Sequence, residues 1–407
     1  MRRVAVTGIG ILSALGRGVD AHLEAVRRAS SGVRRIRRFD PEPYVCRIAA
    51  EVSEEAIPDL PRDVDRVTAY ALLAAEEAIE QAGLVLDAAA AGRTATVIGT
   101  ALGGSETLDS GYERLYGRGQ TRLPPMSIPR GMYNAPTSEV SRRWRLTGPA
   151  FATVSACASG AHAIGQAAMW IRFGLADAAV AGGADAPLTP GIVRGWEALR
   201  VLAPEGDDPA RACRPFSEDR QGMVLGEGAA VLVLEEMERA RGRGAAILGE
   251  IVGFGMTSDA AHPTDPSVEG EARAISRALE DAALDAEAIG YINAHGTATR
   301  ANDVAEAEAI RRALGEAGER IPVSSTKSMH GHAMGAGGAI EAALSLASLD
   351  SGWLPPTLNL ERPDPACRLA HVALLPRPAR VTAFLSNSFA FGGLNAVLAI
   401  RTIHASS

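Results

Sequence analysis

The stretch TATVIGTAL, Thr94–Leu102, decides the fold, because closely similar residues return in YINAHGTAT, Tyr291–Thr299. Each stretch reads as a short buried strand that ends in Gly-Thr-Ala. Each also follows a helix-periodic segment of similar composition, AAEEAIEQAGL at Ala74–Leu84 and AISRALEDAAL at Ala274–Leu284. Two matches in the same order predict one structural unit that occurs twice in the chain.

Two further pairs of segments extend the duplication. FATVSACASGAHAIGQAAMWI (151–171) and IPVSSTKSMHGHAMGAGGAIEAALSL (321–346) each read as a strand, a turn of small residues and a helix. AAVAGGAD (178–185) and TAFLSNSFAFGG (382–393) each read as a strand that leads into glycines. We therefore expect equivalent turns of two similar halves, packed about a pseudo-twofold axis, to face one central site.

Short β-branched or apolar runs alternate with Ala-rich helical stretches, which indicates an α/β fold with helices covering the sheets. The predicted strands are Arg3–Thr7, Thr94–Ile98, Ala178–Ala181, Ala230–Leu234, Ile289–Ile292 and Ala383–Leu385. The seam between the two units falls near Arg239–Glu250, where a new strand opens at Glu250–Phe254. The predicted halves are therefore residues 1–245 and 246–407.

Composition limits the classes of function. The chain has 407 residues, of which 47% are hydrophobic and 22% charged, and its net charge is −7, so we expect a globular protein without a nucleic-acid partner. No apolar run approaches the roughly 20 residues of a membrane span. The arginines between residues 27 and 38 read as a solvated face or as a docking patch for an acidic partner. The four cysteines show no paired spacing, which favours a reducing cytoplasm over a disulfide framework or a zinc site.

Cys157 follows a predicted strand and opens a helix, with Ala156, Ala158, Ser159 and Gly160 around it. The positive end of a helix dipole favours the thiolate form of a cysteine and makes it a nucleophile. Most single cysteines are inert and buried instead. The small neighbours leave space for a substrate, so we predict that Cys157 is the nucleophile.

Two histidines lie at turns of the second half that match the first. His295 follows a strand directly, and His332 lies in STKSMHGHAMGAGGA beside Lys327. Two histidines at strand ends, each flanked by Gly or Ala, predict catalytic partners for the thiol. His330 and His332 also suggest a metal pair, but no carboxylate or thiol stands at ligand spacing beside them, so no metal site is predicted.

The segment SNSFAFGGLNAVLAI runs a strand into Phe389, Phe391, Gly392 and Gly393. Glycines allow the backbone to come close to a reacting group, so amide N–H donors here are candidates for an oxyanion hole. A plain hairpin turn is the alternative.

With these motifs in place, the whole chain resembles the β-ketoacyl-acyl carrier protein synthases of the thiolase-like superfamily, nearest to the elongating type II condensing enzymes of fatty acid and polyketide synthesis. The stretches that carry the resemblance are SACASGAHAIG, RPFSEDRQGMVLGEGAA, NAHGTATRANDVAEAEAI, STKSMHGHAMGAGGAIEA and SNSFAFGGLNA. The resemblance implies a five-layered αβαβα fold of two duplicated halves, usually in a dimer.

The resemblance also implies roles for individual residues. Cys157 would accept an acyl chain, as a thioester, from the phosphopantetheine arm of an acyl carrier protein. His295 and His332 would stabilise the enolate formed when a malonyl extender loses its carboxylate. The other implied positions are Lys327, Glu306, Glu341 and Phe389 as supports of the site, the amides of Cys157 and Phe391 as the oxyanion hole, with Phe391 also as a gate, Thr264, Thr297, Thr299 and Leu108 for substrate binding, and Arg66, Arg122 and Arg200 for carrier docking.

The implied partners are an acyl carrier protein and a second subunit, either an identical chain or a chain-length subunit, with no cofactor beyond the carrier-borne substrates. Leu108 aligns with a side chain that limits pocket depth, so Leu108→Phe is expected to shorten the longest accepted acyl chain. Met126 and Tyr133 would line the same region across the dimer interface. Ala390 replaces a frequent glycine and His330 a frequent small polar residue, and either change bears on gating.

Three alternatives stay open at this stage. A non-catalytic chain-length subunit would lack the nucleophile, which this chain keeps. A thiolase would need a second catalytic cysteine among glycines, and Cys367 in DPACRLA has none beside it. A Cys-His hydrolase would need no Lys327 motif. The chain is also similar to the specialised synthases of nodulation-factor, aryl-polyene or polyketide pathways. This similarity concerns which product is made, and the expected reaction is the same.

Overall fold

The computed structural model describes residues 1–61 and 63–403. Its strands are β1 Val4–Ser13, β2 Gly16–Arg17, β3 Arg34–Arg35, β4 Ile48–Ala49, β5 Thr94–Gly99, β6 Ala150–Thr153, β7 Ala178–Asp185, β8 Gly228–Glu236, β9 Gly249–Ser258, β10 Tyr291–Asn293, β11 Pro322–Ser324, β12 Trp353–Leu354, β13 Ala370–His371, β14 Arg377–Pro378, β15 Ala383–Ser388 and β16 Leu394–Thr402. Its helices are α1 Val19–Arg27, α2 Arg66–Ala82, α3 Ala88–Gly92, α4 Ser105–Tyr112, α5 Ser127–Gly131, α6 Ala135–Trp144, α7 Ser159–Arg172, α8 Pro190–Ala198, α9 Met237–Gly242, α10 Val268–Ala282, α11 Arg300–Leu314, α12 Lys327–His330 and α13 Gly337–Asp350.

The two halves share one strand topology. The first half has the order β6-β5-β7-β8-β1 and the second has β11-β10-β15-β16-β9, with β13 added beyond β11. In both, the second strand is parallel to its two neighbours and the fifth is antiparallel to both of its own. The sheets are continuous through a short antiparallel contact between β1 and β9. The predicted duplication is therefore confirmed.

A close approach between strand and helix is repeated in the two halves. A Cβ on Gly10 of β1 would lie 1.9 Å from the carbonyl oxygen of Ala74 in α2. A Cβ on Gly255 of β9 would lie 2.0 Å from the carbonyl oxygen of Ala274 in α10. Real side chains do not tolerate such distances, so glycine allows each helix to pack directly on its strand. The same packing explains Gly8 of β1, where a Cβ would lie 2.0 Å from the carbonyl oxygen of Ala78.

The helices form three layers around the two sheets. Helices α2 and α6 cover the outer face of the first sheet, and α10 and α11 cover the second. Asp65 precedes α2 and its carboxylate accepts the Val67 amide, and Ser267 precedes α10 and its hydroxyl accepts the Gly270 amide. Helices α7 and α13 lie between the sheets. This arrangement is the expected αβαβα fold.

The central helices α7 and α13 meet through small residues near their N-termini. A Cβ on Gly160 would lie 2.9 Å from the Cβ of Ala339, and a Cβ on Gly338 would lie 3.1 Å from that of Ala161. The contact is reciprocal, as a pseudo-twofold axis between the helices requires. Because no side chains separate them here, the turns that precede the two helices lie together at the centre of the molecule.

The six strands predicted from apolar runs are present, mostly with different ends, and the strand predicted at Glu250–Phe254 is part of β9. The run Arg3–Thr7 belongs to the longer strand β1, and Ile289–Ile292 is shortened to β10. The boundary predicted between residues 245 and 246 falls in the connection from α9 to β9 and stays a prediction. No helix of the described residues is long and apolar enough to cross a membrane.

Candidate active site

Cys157 lies in a tight turn between β6 and α7. The turn Ala156–Ala158 is a single 3-10 turn, and Ala156 adopts a left-handed φ of 48°, which is uncommon for alanine. The hydroxyl of Ser159 accepts the Ser155 amide at 2.9 Å and donates to the Ala156 carbonyl at 2.7 Å. The backbone around the sulfur is therefore held in one unusual conformation.

His332 comes to the same place from the other half. It lies between α12 and α13, where its amide donates to the carbonyl of Val224 at 2.7 Å and its carbonyl accepts the amide of Gly226 at 2.9 Å. Its Nε2 atom is 3.1 Å from the Cys157 sulfur. The thiol and this imidazole are 175 residues apart in sequence and in hydrogen-bond contact in the structure.

His295 completes the group at the end of β10. Its ring meets that of His332 edge to face, with centroids 5.4 Å apart. The Glu306 carboxylate accepts the amides of His295 and Gly296, each at 2.7 Å, and also the side-chain amide of Asn387 at 3.1 Å. The buried glutamate therefore fixes the backbone that carries the histidine.

Lys327 lies fully buried behind His295. Its Nζ donates to the His295 carbonyl at 2.6 Å, pairs with the Glu341 carboxylate and lies 3.2 Å from Nδ1 of the His295 ring. An ammonium only donates, so Nδ1 accepts and the ring proton of neutral His295 resides on Nε2. Lys327 therefore sets the tautomer of His295.

Burial controls protonation at the site. Burial and the positive charge of Lys327 hold the pKa values of His295 and His332 well below the usual 6.5, so both imidazoles are neutral. Burial raises the pKa of Cys157 to about 11, although Lys327 and the N–H of Phe391 act in the opposite direction. This corrects the expectation of a resting thiolate. Desolvation exceeds the helix-terminus effect, so the thiol needs a base, and the Nε2 atom of His332 is in contact with it.

The glycine-rich segment after β15 closes one side of the cleft above Cys157. Phe389, Ala390 and Phe391 line this cleft, and the Phe391 ring packs on Trp196 with centroids 5.7 Å apart. Gly392 adopts a φ of 84° that favours glycine. The segment is a structured wall of the cleft, more than the plain turn that stood as the alternative.

Three of the four residues expected to bind substrate lie in this cleft. Thr264, Thr297 and Thr299 line it together with Cys157 and both histidines, and the hydroxyls of Thr297 and Thr299 are 2.8 Å apart. Leu108 is not among its lining residues. Its side chain packs instead beside Gly131.

The residues expected to dock a carrier differ in their surroundings. Arg200 is exposed between Leu199 and Val201, which both line the cleft. Arg122 is also exposed. Arg66 is half-buried and already pairs with two carboxylates, those of Glu54 and Glu106. Of the three, Arg66 has the least free charge for a partner.

His330 takes no part in the cleft. It is buried at the end of α12, where its Nε2 atom lies 3.1 Å from the hydroxyl of Thr326. Cys157, His295 and His332 have donor atoms within 4.8 Å of one another, which is also a spacing for a metal ion. The sequence prediction of no metal stays a prediction.

Sequence reasoning missed Asp185, which joins the halves behind the cleft. This buried carboxylate ends β7 and accepts the Thr100 hydroxyl and the Ala101 amide at 2.8 Å and the Gly335 amide at 2.6 Å. Burial raises its pKa to about 6. The signal was present, since AAVAGGAD places one acid directly after a buried apolar strand.

A second missed group holds the cleft wall. The Asp303 carboxylate accepts the amides of Phe216 and Ala298, and fully buried Arg220 pairs with Asp303 and donates to the carbonyl of Thr299. These contacts fix the loop that carries the cleft threonines. The motif RPFSEDRQG contains Arg220 and was the available signal.

Two duplicated halves that bring a cysteine and two histidines together define the chain as a condensing enzyme of the thiolase-like class. The sequence profile "Beta-ketoacyl synthase, N-terminal domain" matches residues 1–240, and "Beta-ketoacyl synthase, C-terminal domain" matches residues 248–361. The chain belongs to the β-ketoacyl synthase family. It is an acyltransferase, and the sequence-based prediction of the family is confirmed.

Individual relatives match almost the whole chain. A "3-oxoacyl-(acyl-carrier-protein) synthase 2" of Staphylococcus aureus (strain COL) is 41% identical over 99% of both chains. "Nodulation protein E" of Rhizobium sp. (strain N33) is 42% identical over 99% of this chain and 100% of its own length. Among solved structures, "The ishigamide ketosynthase/chain length factor" superimposes with a TM-score of 0.93 at 36% identity, covering 99% of both chains.

Proposed function

We propose that the chain catalyses a decarboxylative Claisen condensation in which an acyl group is held on Cys157 and extended by two carbons from a malonyl thioester. The contact of 3.1 Å between the Cys157 sulfur and Nε2 of His332 is the observation that carries this proposal. It joins a nucleophile from one half to an acid–base group from the other.

The first half-reaction loads the enzyme. Nε2 of His332 takes the proton of the Cys157 thiol, and the thiolate attacks the carbonyl carbon of the incoming acyl thioester. The bond to the carrier sulfur breaks, and His332 passes the proton to the departing carrier thiolate. A thiol with a pKa of about 11 is a poor nucleophile unless such a base acts on it.

The second half-reaction forms the carbon–carbon bond. The malonyl carboxylate leaves as carbon dioxide, and its electron pair forms an enolate on the thioester. The Nε2–H of His295, set by Lys327, donates to the enolate oxygen. His332 is a second donor in the tautomer that carries its single ring proton on Nε2, whereas the loading step uses the tautomer with the proton on Nδ1. Nδ1 has no partner among the described residues, so no neighbour fixes either tautomer.

The enolate carbon then attacks the carbonyl carbon of the Cys157 thioester. The amides of Cys157 and Phe391 would hold the resulting oxyanion, and the Phe391 amide is already close enough to the sulfur to lower its pKa. Collapse releases the β-ketoacyl product and the Cys157 thiolate, which takes up one proton from solvent. Glu306 and Glu341 act by holding His295 and Lys327.

An acyl carrier protein is the proposed source of both thioesters, since the relative from Staphylococcus aureus is named as a synthase that acts on an acyl carrier protein. Arg200 and Arg122 are the exposed basic residues proposed to meet it. A second subunit, identical or of the chain-length type, is the proposed partner in assembly. A cytoplasmic location stays a prediction.

Intact-mass measurement after incubation with acyl-carrier thioesters, followed by malonyl-carrier, tests the proposal. We expect an acyl adduct on the native chain that disappears as the β-ketoacyl product forms. An adduct that is simply hydrolysed, with no product, would identify a hydrolase. If no adduct forms at any chain length, alone or with a co-purified partner, the chain is a non-catalytic subunit.

A further inference from the structure

Glu271 is an acid on the cleft wall that the proposed reaction does not use. It lies in the first turn of α10, is 1% exposed and lines the same cleft as Cys157 and His295. Its Oε2 atom has no hydrogen-bond partner among the described residues. A buried polar atom without a partner costs roughly 1–3 kcal/mol, so such groups are uncommon unless a ligand completes them.

The neighbours of Glu271 are satisfied. The Asp259 carboxylate, which also lines the cleft, accepts the Asn395 side-chain amide at 2.7 Å and the Ser267 amide at 3.3 Å. The hydroxyls of Thr297 and Thr299 bond to each other. Glu271 is therefore a group of this wall that has bonding capacity to spare.

The surroundings favour the protonated form of Glu271. Burial raises the pKa of Glu271 well above its usual value, and the negative charges of Glu306 and Asp259 raise it further. A neutral carboxylic acid donates through its O–H and accepts through its carbonyl oxygen. A secondary amide offers an N–H donor and a C=O acceptor that point in opposite directions in the trans form, so the acid can bond to one of them at a time.

We infer that Glu271 binds a secondary amide of the phosphopantetheine arm and so positions each thioester over Cys157. This inference rests on the proposed function, because that function brings a phosphopantetheine thioester into the cleft. The arm carries two secondary amides, whereas a saturated acyl chain and the thioester itself have no N–H donor. Glu271 is thus a specificity residue for the arm and acts independently of acyl chain length.

Inert thioethers separate binding from chemistry. We would measure by calorimetry the Kd of an S-alkyl pantetheine and of an S-alkyl thioether of matched length without amides. Glu271→Leu is expected to weaken the pantetheine thioether about tenfold, which is one hydrogen-bonded pair, and to leave the amide-free thioether unchanged. Glu271→Gln, which keeps a donor and an acceptor, is expected to restore most of the affinity.

Glu269→Gln is the matched control, because Glu269 lies in the same helical turn, exposed and paired with Arg312. It is expected to bind both thioethers like the native chain. Equal weakening of both thioethers by Glu271→Leu, or no weakening of either, would overturn the inference. Glu271→Met gives the same comparison if the leucine variant does not fold.

The acyl adduct on Cys157, measured separately by intact mass, reports on the proposed function alone. If the adduct fails to form while the amide-dependent loss of affinity is present, the reaction is wrong and the amide site stands. If the adduct forms and the loss is independent of the amides, the amide site is wrong and the reaction stands.

Discussion

The turn that carries Cys157 and the matching turn of the second half differ in one residue that decides their chemistry. Each is a 3-10 turn directly before a central helix, Ala156–Ala158 before α7 and Met334–Ala336 before α13. Each begins with a left-handed residue, Ala156 at φ 48° and Met334 at φ 46°. The second residue of the turn is Cys157 in one half and Gly335 in the other.

The glycine is required where it stands. A Cβ on Gly335 would lie 2.5 Å from the amide of Ala101 and 2.6 Å from the Asp185 carboxylate. The second half therefore uses this position for packing, and its chemistry comes from His332, just before the turn, and Lys327. A duplicated scaffold thus supplies the nucleophile from one half and the proton carriers from the other.

The largest effect is expected from removing the nucleophile, which tests whether the two halves have separate chemical roles. Cys157→Ala is expected to abolish the acyl adduct and to lower condensation by at least about 10³-fold, while malonyl decarboxylation persists, because the enolate donors belong to the other half. Intact mass and carbon dioxide release measure the two effects. Cys46→Ala, a buried cysteine outside the cleft, is expected to keep the adduct. Loss of decarboxylation in Cys157→Ala alone would show that the halves do not divide the chemistry.

The complementary change is His295→Gln in the second half. We expect the acyl adduct on Cys157 to form, because His332 is still in contact with the thiol. Decarboxylation and condensation are expected to fall by about 10²–10³-fold through loss of a preorganised donor. His371→Gln, in the same half but outside the cleft, is the control. A normal decarboxylation rate in His295→Gln would assign the enolate to other donors.

A third prediction concerns Asp185, whose hydrogen bonds connect the two halves. Its pKa in the folded chain is about 6, above the usual 3.8, so the folded state binds this proton more tightly than the unfolded state. The stability that the folded state gains from binding this proton is fully present below about pH 4 and is lost as the pH rises through 6. Asp185→Asn removes this dependence. The stability deficit of the variant is therefore expected to shrink from pH 4 to pH 7.5, by up to about 3 kcal/mol.

Urea unfolding at several pH values measures this deficit. Asp177→Asn is the contrasting variant, because Arg93 and Arg2 lower the pKa of Asp177 to about 2. The native chain gains that stability as the pH rises from 2 to 4, so the deficit of Asp177→Asn grows over this range and then stays level. Parallel curves for the two variants between pH 4 and 7.5 would contradict the assignment of the buried proton to Asp185.

The prediction from sequence that the structure supports least is Leu108→Phe. Leu108 packs beside Gly131 and does not line the cleft that contains Cys157. Shorter products from Leu108→Phe would show that the acyl chain reaches beyond this cleft toward α4. An unchanged product profile would place the end of the acyl pocket elsewhere.

The duplication could be predicted from the sequence because glycine and small residues mark close approaches, and these approaches occur twice. Cys157, His295 and His332 could be predicted because they follow strands at equivalent turns. The raised pKa of Cys157 could not be predicted, since desolvation depends on side chains from both halves. The sequence also did not reveal Asp185 or Glu271, because a lone acid has no pattern until folding buries it.

The smallest expected effect concerns Ala390 in the wall above Cys157. The φ of Ala390 lies outside the left-handed region that Gly392 and Gly393 occupy, so alanine adopts it without strain. Ala390→Gly is expected to lower the free energy of unfolding by about 0.4–1 kcal/mol, because glycine gives the unfolded chain more freedom. If this alanine stiffens the loop, the variant also forms the Cys157 adduct at a changed rate while the adduct mass is the same. An unchanged rate together with the expected stability loss would limit the role of Ala390 to the unfolded state.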